Sequence, residues 1–141
     1  MKLDDAVGFL INNTGRSMTR YLTSAFNHLD VTTEQWSVLK CLEEEDGLAI
    51  KELSKRVGKD QANVTRISDL LERKGYLVRK PNPEDKRSSL VCLTEAGREM
   101  TNELIPIDEK VHEVALSGIS EEEISFLKQL LAKIRENVSA E

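Results

Sequence analysis

The order of apolar and polar positions divides the chain into helices with one short interval of strand periodicity. Leu3, Val7, Leu10, Thr14, Met18, Tyr21 and Ala25 recur at steps of three or four residues, and Ala6, Ile11, Leu22, Phe26 and Leu29 widen the same stripe. This is the repeat of a helix with one broad apolar face, so the pattern predicts one long amphipathic helix over about residues 3–28. Gly15 inside it costs roughly 1 kcal/mol relative to Ala and favours a slight bend. In TTEQWSVLKCLEEE, Thr32 precedes Gln35 by three residues, the spacing of a reciprocal capping box. Trp36, Leu39, Cys41 and Leu42 should then face inward, and Asp46-Gly47 should end that helix. Leu48–Ile50 suits either a single strand or the lead-in to a helix.

Two helices with a tight break follow, IKELSKRVG and DQANVTRISDLLERKG. Ile50, Leu53 and Val57 carry the helical spacing of the first, Gly58 permits the turn, and Asp60 is a natural N-cap for the second, which ends at Gly75. Val64, Ile67, Leu70 and Leu71 form its inward face. Tyr76–Arg79 and Leu90–Leu93 are rich in β-favouring residues and read as a hairpin closed by KPNPEDKRSS. Thr94 caps a helix running toward Ser117, with a break or kink expected at Pro106. Ser120 and Glu123 form a second capping box, ahead of a last amphipathic helix carrying Ile124, Leu127, Leu130, Leu131, Ile134 and Val138.

Composition bounds this picture. The chain has 141 residues, 39% hydrophobic and 32% charged, with three prolines and seven glycines, which suits one helix-rich globular domain. No apolar run approaches the roughly 18–20 residues of a membrane span, and MKLDDAVGFL lacks the basic region of a signal peptide, so a cytoplasmic location is expected. Cys41 and Cys92 match neither a metal spacing nor a disulfide framework and are expected as small core hydrophobes. The competing reading for Cys92 is a redox-responsive thiol, because strand alternation could turn it outward.

A formal net charge of −5 argues at first against nucleic acid. The average conceals a division: residues 51–90 hold eleven Lys and Arg against six Asp and Glu, a local charge of +5 inside an acidic frame. The basic segment coincides with the two short helices and the hairpin, which together make a winged helix-turn-helix. Such a motif lays the first turns of its second helix in the major groove. The residues there have suitable chemistry. Gln61 and Asn63 carry amides able to pair an adenine edge, Ala62 can touch a thymine methyl, and Arg66 can fork onto guanine O6 and N7. Thr65 and the helix N-terminal amides suit phosphates.

The run GYLVRKPNPEDKRSSLVCLTEAG adds a specific pattern. Leu71-Glu72-Arg73-Lys74-Gly75, Arg79, Asp85-Lys86-Arg87 and Leu93-Thr94-Glu95-Ala96-Gly97 together resemble the signature of the MarR family of bacterial transcription regulators, SlyA-like members included. The resemblance extends over essentially the whole chain in element order and length. It implies a mainly α fold with a small β-wing, comprising a winged helix-turn-helix over residues 31–94 and dimerisation helices at 1–30 and 95–141. It further implies a homodimer that binds double-stranded DNA at pseudo-palindromic operators, as a repressor. Arg87 matches the wing arginine that enters the minor groove, with Asp85 expected to hold its guanidinium through a bidentate pair and Lys86 beside it. Lys55, Lys59, Arg79 and Lys80 are expected on phosphates.

Many relatives are released by phenolic or other anionic compounds, and Met18, Tyr21, His28 and Trp36 are the candidates here for such an effector pocket, although inward aromatic and Met residues more often build plain core. The peroxide-sensing branch carries a reactive cysteine near its N-terminus, and residues 1–40 contain none. No nucleophile motif, phosphate loop or metal cluster points to an enzyme or a cofactor. Two other readings stand beside the regulator: a winged-helix protein adaptor and a thiol-responsive regulator.

Overall fold

The computed structural model describes residues 1–139. It is mainly helical, with one antiparallel hairpin: α1 (Val7–Phe26), α2 (Thr33–Glu44), α3 (Ile50–Val57), α4 (Gln61–Arg73), β1 (Leu77–Pro81), β2 (Ser89–Leu93), α5 (Glu95–Ala115) and α6 (Glu121–Ser139). Single 3-10 turns at Leu3–Asp5 and Asn27–Leu29 flank α1. The expected first helix is therefore interrupted near its start, because Ala6 is extended and caps α1 without a side-chain acceptor. The helix runs unbroken through Gly15.

The helix starts follow from local chemistry. Thr32 Oγ1 accepts the Gln35 N–H at 3.0 Å while Gln35 Oε1 accepts the Thr32 N–H at 3.2 Å, which completes the capping box. Asp60 Oδ1 accepts the Asn63 N–H at 2.7 Å, Thr94 Oγ1 accepts that of Gly97 at 3.0 Å, and Ser120 and Glu123 cap each other in the same way as Thr32 and Gln35. Gly58 takes a left-handed φ of 71°, which turns the chain between α3 and α4 without the penalty a Cβ would bring. Helix α5 continues through Pro106 instead of breaking there. Proline supplies no N–H to the Asn102 carbonyl, but both residues are exposed and water can serve that oxygen.

The core lies among α2, α3, α4, the hairpin and the first half of α5. Phe26, Leu39, Leu42, Leu53, Val64, Ile67, Leu71 and Leu104 are almost fully buried, and Phe26 meets Trp36 edge to face at 5.8 Å. The segment at Leu48 serves as both strand and lead-in: Leu48 and Val91 exchange backbone hydrogen bonds of 3.2 and 2.8 Å just before α3 begins. This one-residue bridge lies along the outer edge of β2. Asp46 anchors it, accepting the Leu93 N–H at 2.9 Å and the Arg98 guanidinium at 2.8 Å. Cys92 is consequently buried instead of turned outward, as is Cys41.

The terminal helices contrast with this core. No residue of α6 is buried, and Phe126, Leu127, Leu130, Ile134 and Val138 stand exposed along it. Leu3, Val7, Leu10, Ile11, Met18 and Tyr21 are exposed along the N-terminal segment. These are the apolar stripes seen in the sequence, left without a cover by this single chain.

Candidate nucleic-acid interface

The N-terminal turns of α4 present the expected polar set. Gln61, Ala62 and Arg66 are exposed, and Asn63 and Thr65 are half-buried. Their placement follows from the apolar spacing of the same helix: Val64, Ile67 and Leu71 face the core, so the residues between them face out. Arg66 Nη2 donates to Asn63 Oδ1 at 2.6 Å, joining two of the expected base-reading side chains. A groove of about 490 Å³ lies against this end of α4, lined by Lys51, Ser54, Lys55, Gly58, Lys59, Asp60 and Gln61. Lys55 lies 3.7 Å from Glu52 and remains largely exposed, while Lys59 reaches Glu34 of α2 at 3.7 Å.

The hairpin pairs Leu77 with Leu93 through Pro81 with Ser89, so its loop spans residues 82–88. Local hydrogen bonds shape that loop. Asn82 Nδ2 donates to Ser88 Oγ at 3.0 Å across its base, and Asn82 Oδ1 accepts the Glu84 N–H at 3.0 Å. Asp85 Oδ1 accepts the Arg87 N–H at 3.0 Å. Its contact with the Arg87 guanidinium is a single 3.7 Å approach by Nε, so the expected bidentate pair is absent. Asp85 thus holds the backbone of the tip, its Oδ1 lying nearer the Arg87 backbone N–H than the guanidinium. The Arg87 side chain is 94% exposed and projects freely. Between wing and helix lies a second groove of about 470 Å³, bordered by Lys51, Gln61, Asn82, Asp85 and Arg87. Lys80 and Lys86 are exposed.

Arg79 departs from its expected phosphate role. Its Nη2 donates to Asp69 Oδ1 at 2.5 Å and its Nε to Glu72 Oε2 at 3.0 Å, both on α4. The guanidinium is thus committed to clamping β1 onto the reading helix, because α4 places two carboxylates beside it. Asp46, read from the sequence only as a helix end, and Asp69 each act on a partner in another element.

The expected effector set does not converge. Met18, Tyr21 and His28 are exposed, while Trp36 borders a cleft that none of the other three lines. That cleft, about 400 Å³, lies among α1, α2, α3 and α5 and is lined by Leu22, Trp36, Lys40, Cys41, Arg56 and His112. The hydrogen bond from Lys40 to Glu43 raises the Lys40 pKa against a smaller opposing effect of burial, so the amine stays charged. Arg56 reaches Glu45 at 3.2 Å and Glu44 at 3.4 Å. Burial pushes the thiols of Cys41 and Cys92 above their usual pKa, which keeps both as the unreactive thiol. Among the described residues, no helix is long and apolar enough to cross a membrane.

With this geometry in view, comparisons with known proteins place the chain. The MarR family model matches residues 31–89, the stretch from α2 to the start of β2. The multiple antibiotic resistance protein MarR of Escherichia coli is 32% identical over 131 residues, which cover 91% of this chain and 90% of that one. The organic hydroperoxide resistance transcriptional regulator of Bacillus subtilis is 29% identical over 98% of this chain and 92% of its own. Among solved structures, a cysteine-to-serine mutant of Escherichia coli MarR complexed with operator DNA superposes with a TM-score of 0.84 at 30% identity, covering 91% of this chain and 92% of that one. The chain belongs to the MarR family of winged-helix, DNA-binding transcriptional regulators.

Proposed function

We propose that the protein is a homodimeric, sequence-specific repressor that occupies pseudo-palindromic operators and is released by a small anionic or phenolic effector. The wing and the start of α4 carry this reading. Arg87 projects freely at one end of a groove whose other border is the exposed face of Gln61, on a chain whose relative was crystallised with operator DNA. Gln61, Ala62, Asn63, Thr65 and Arg66 meet the major groove, Arg87 enters the minor groove, and Lys55, Lys80 and Lys86 meet phosphates. Residues 1–30 and 95–141 form the dimerisation region, supported by the uncovered apolar faces of the N-terminal segment and α6. The cleft beside Trp36 holds the effector, where Lys40 and Arg56 share the wall with Glu44 and Asp108. An adaptor would have no need of a free Arg87 beside a polar groove-facing helix, and two buried thiols do not favour a thiol switch.

Binding to a defined operator, followed by fluorescence anisotropy over a salt series, tests this reading. Affinity should fall steeply with salt, with a log–log slope of about −0.9 for each phosphate neutralised. Arg87→Ala should weaken binding strongly and leave a dimer in sedimentation. Unchanged affinity would overturn the wing assignment, and a wild-type monomer at micromolar concentration would overturn the dimer.

A further inference from the structure

Asn63 and Arg66 stand three residues apart on α4, on one face of the helix. The Arg66 guanidinium donates to the Asn63 carboxamide oxygen at 2.6 Å. Among the described residues no carboxylate lies within ion-pair distance of Arg66, as is also true of Arg16, Arg20 and Arg73. A neutral amide therefore orients this guanidinium without cancelling its charge. The backbone beneath Asn63 is held by the helix cap, its N–H donating to the Asp60 carboxylate at 2.7 Å. An asparagine reading adenine needs its carbonyl and its amino group on one base edge, and here the carbonyl is turned to Arg66. Arginine has five N–H donors in a rigid fork, so spending one on Asn63 leaves enough for both acceptors of guanine.

We propose that Asn63 and Arg66 read a single base pair together, with Arg66 contacting guanine and Asn63 acting as its positioning residue. This inference rests on the groove-reading role of α4 proposed above and assigns the division of labour within it. Holding the long side chain ready reduces the rotamer freedom lost when it docks, and so converts a flexible cation into a base-selective one.

The test measures binding of wild type, Asn63→Ala, Arg66→Ala, the double variant and Asn63→Asp to an operator with each half-site position changed in turn to all four bases. Wild type should prefer guanine at one position by between about 5-fold and 150-fold, the range of one bidentate contact. Asn63→Ala and Arg66→Ala should both erase preference at that same base pair, and the double variant should lose no more there than Arg66→Ala alone. Asn63→Asp keeps the acceptor and lacks the amino donors, so it should retain the guanine preference at lower overall affinity. The proposal is overturned if Asn63→Ala removes an adenine preference at a different base pair, if the two losses add, or if Asn63→Asp loses guanine preference. A wild type without base preference would overturn the groove-reading role itself, which separates the two failures.

Discussion

Replacing Arg79 by Ala removes the two contacts that tie the wing to α4. Charge-assisted hydrogen bonds contribute about 1.5–3 kcal/mol when well shielded, and exposed ion pairs about 0.2–1 kcal/mol. The Arg79 side chain is 29% exposed and its partners Asp69 and Glu72 are 47% and 45% exposed, which places the clamp toward the lower of those ranges. Two such contacts together should contribute about 0.4–2 kcal/mol. Their loss also leaves two carboxylates of like charge three residues apart on one helix. Urea unfolding of wild type, Arg79→Ala, Asp69→Asn and the double variant forms a cycle whose coupling energy isolates the Asp69 contact. DNA binding provides an independent reading. A lost phosphate contact reduces the salt slope by about 0.9, whereas a lost clamp weakens binding at an unchanged slope because the wing is misplaced. Zero coupling in the cycle together with a reduced slope would refute the clamp and restore Arg79 to the phosphates.

Gly97→Ala should destabilise the fold by about 1–3 kcal/mol in thermal or urea unfolding, the cost of overpacking. A Cβ at Gly97 collides with the Tyr76 backbone carbonyl and lies 3.2 Å from Leu93, at the junction of α5 with the hairpin. Glu123 has a lowered pKa because its carboxylate accepts the Ser120 backbone N–H. Stability from that cap is present above the unfolded carboxylate pKa, about 4.3, and is lost as pH falls through the lower folded value. Melting-temperature scans should show Glu123→Gln below wild type at neutral pH, with the gap closing in acid; a constant gap would contradict that origin.

The caps were legible in the sequence because each joins residues three apart: Thr32 with Gln35, Asp60 with Asn63, Ser120 with Glu123. The hairpin, the glycine turn and the polar face of α4 were legible for the same reason, since local spacing and periodicity determine them. The clamp on Arg79 was not, because its partners lie in another element. The burial of Cys92 was not, because the Asp46–Leu48 segment that borders β2 arrives from more than forty residues earlier in the chain. Met18 and Tyr21 show a further limit: periodicity marks an apolar face without saying what covers it, and among the described residues both stay partly exposed. The cleft residues Lys40, Arg56 and His112 sit on three helices and share no sequence pattern.

Selection of bound duplexes from a random DNA pool tests the central claim most directly. A twofold dimer reading with α4 predicts an inverted-repeat consensus whose half-sites are centred about one helical turn apart, roughly 34–36 Å. Recovery of unrelated sequences, or of a single unrepeated half-site, would contradict the account.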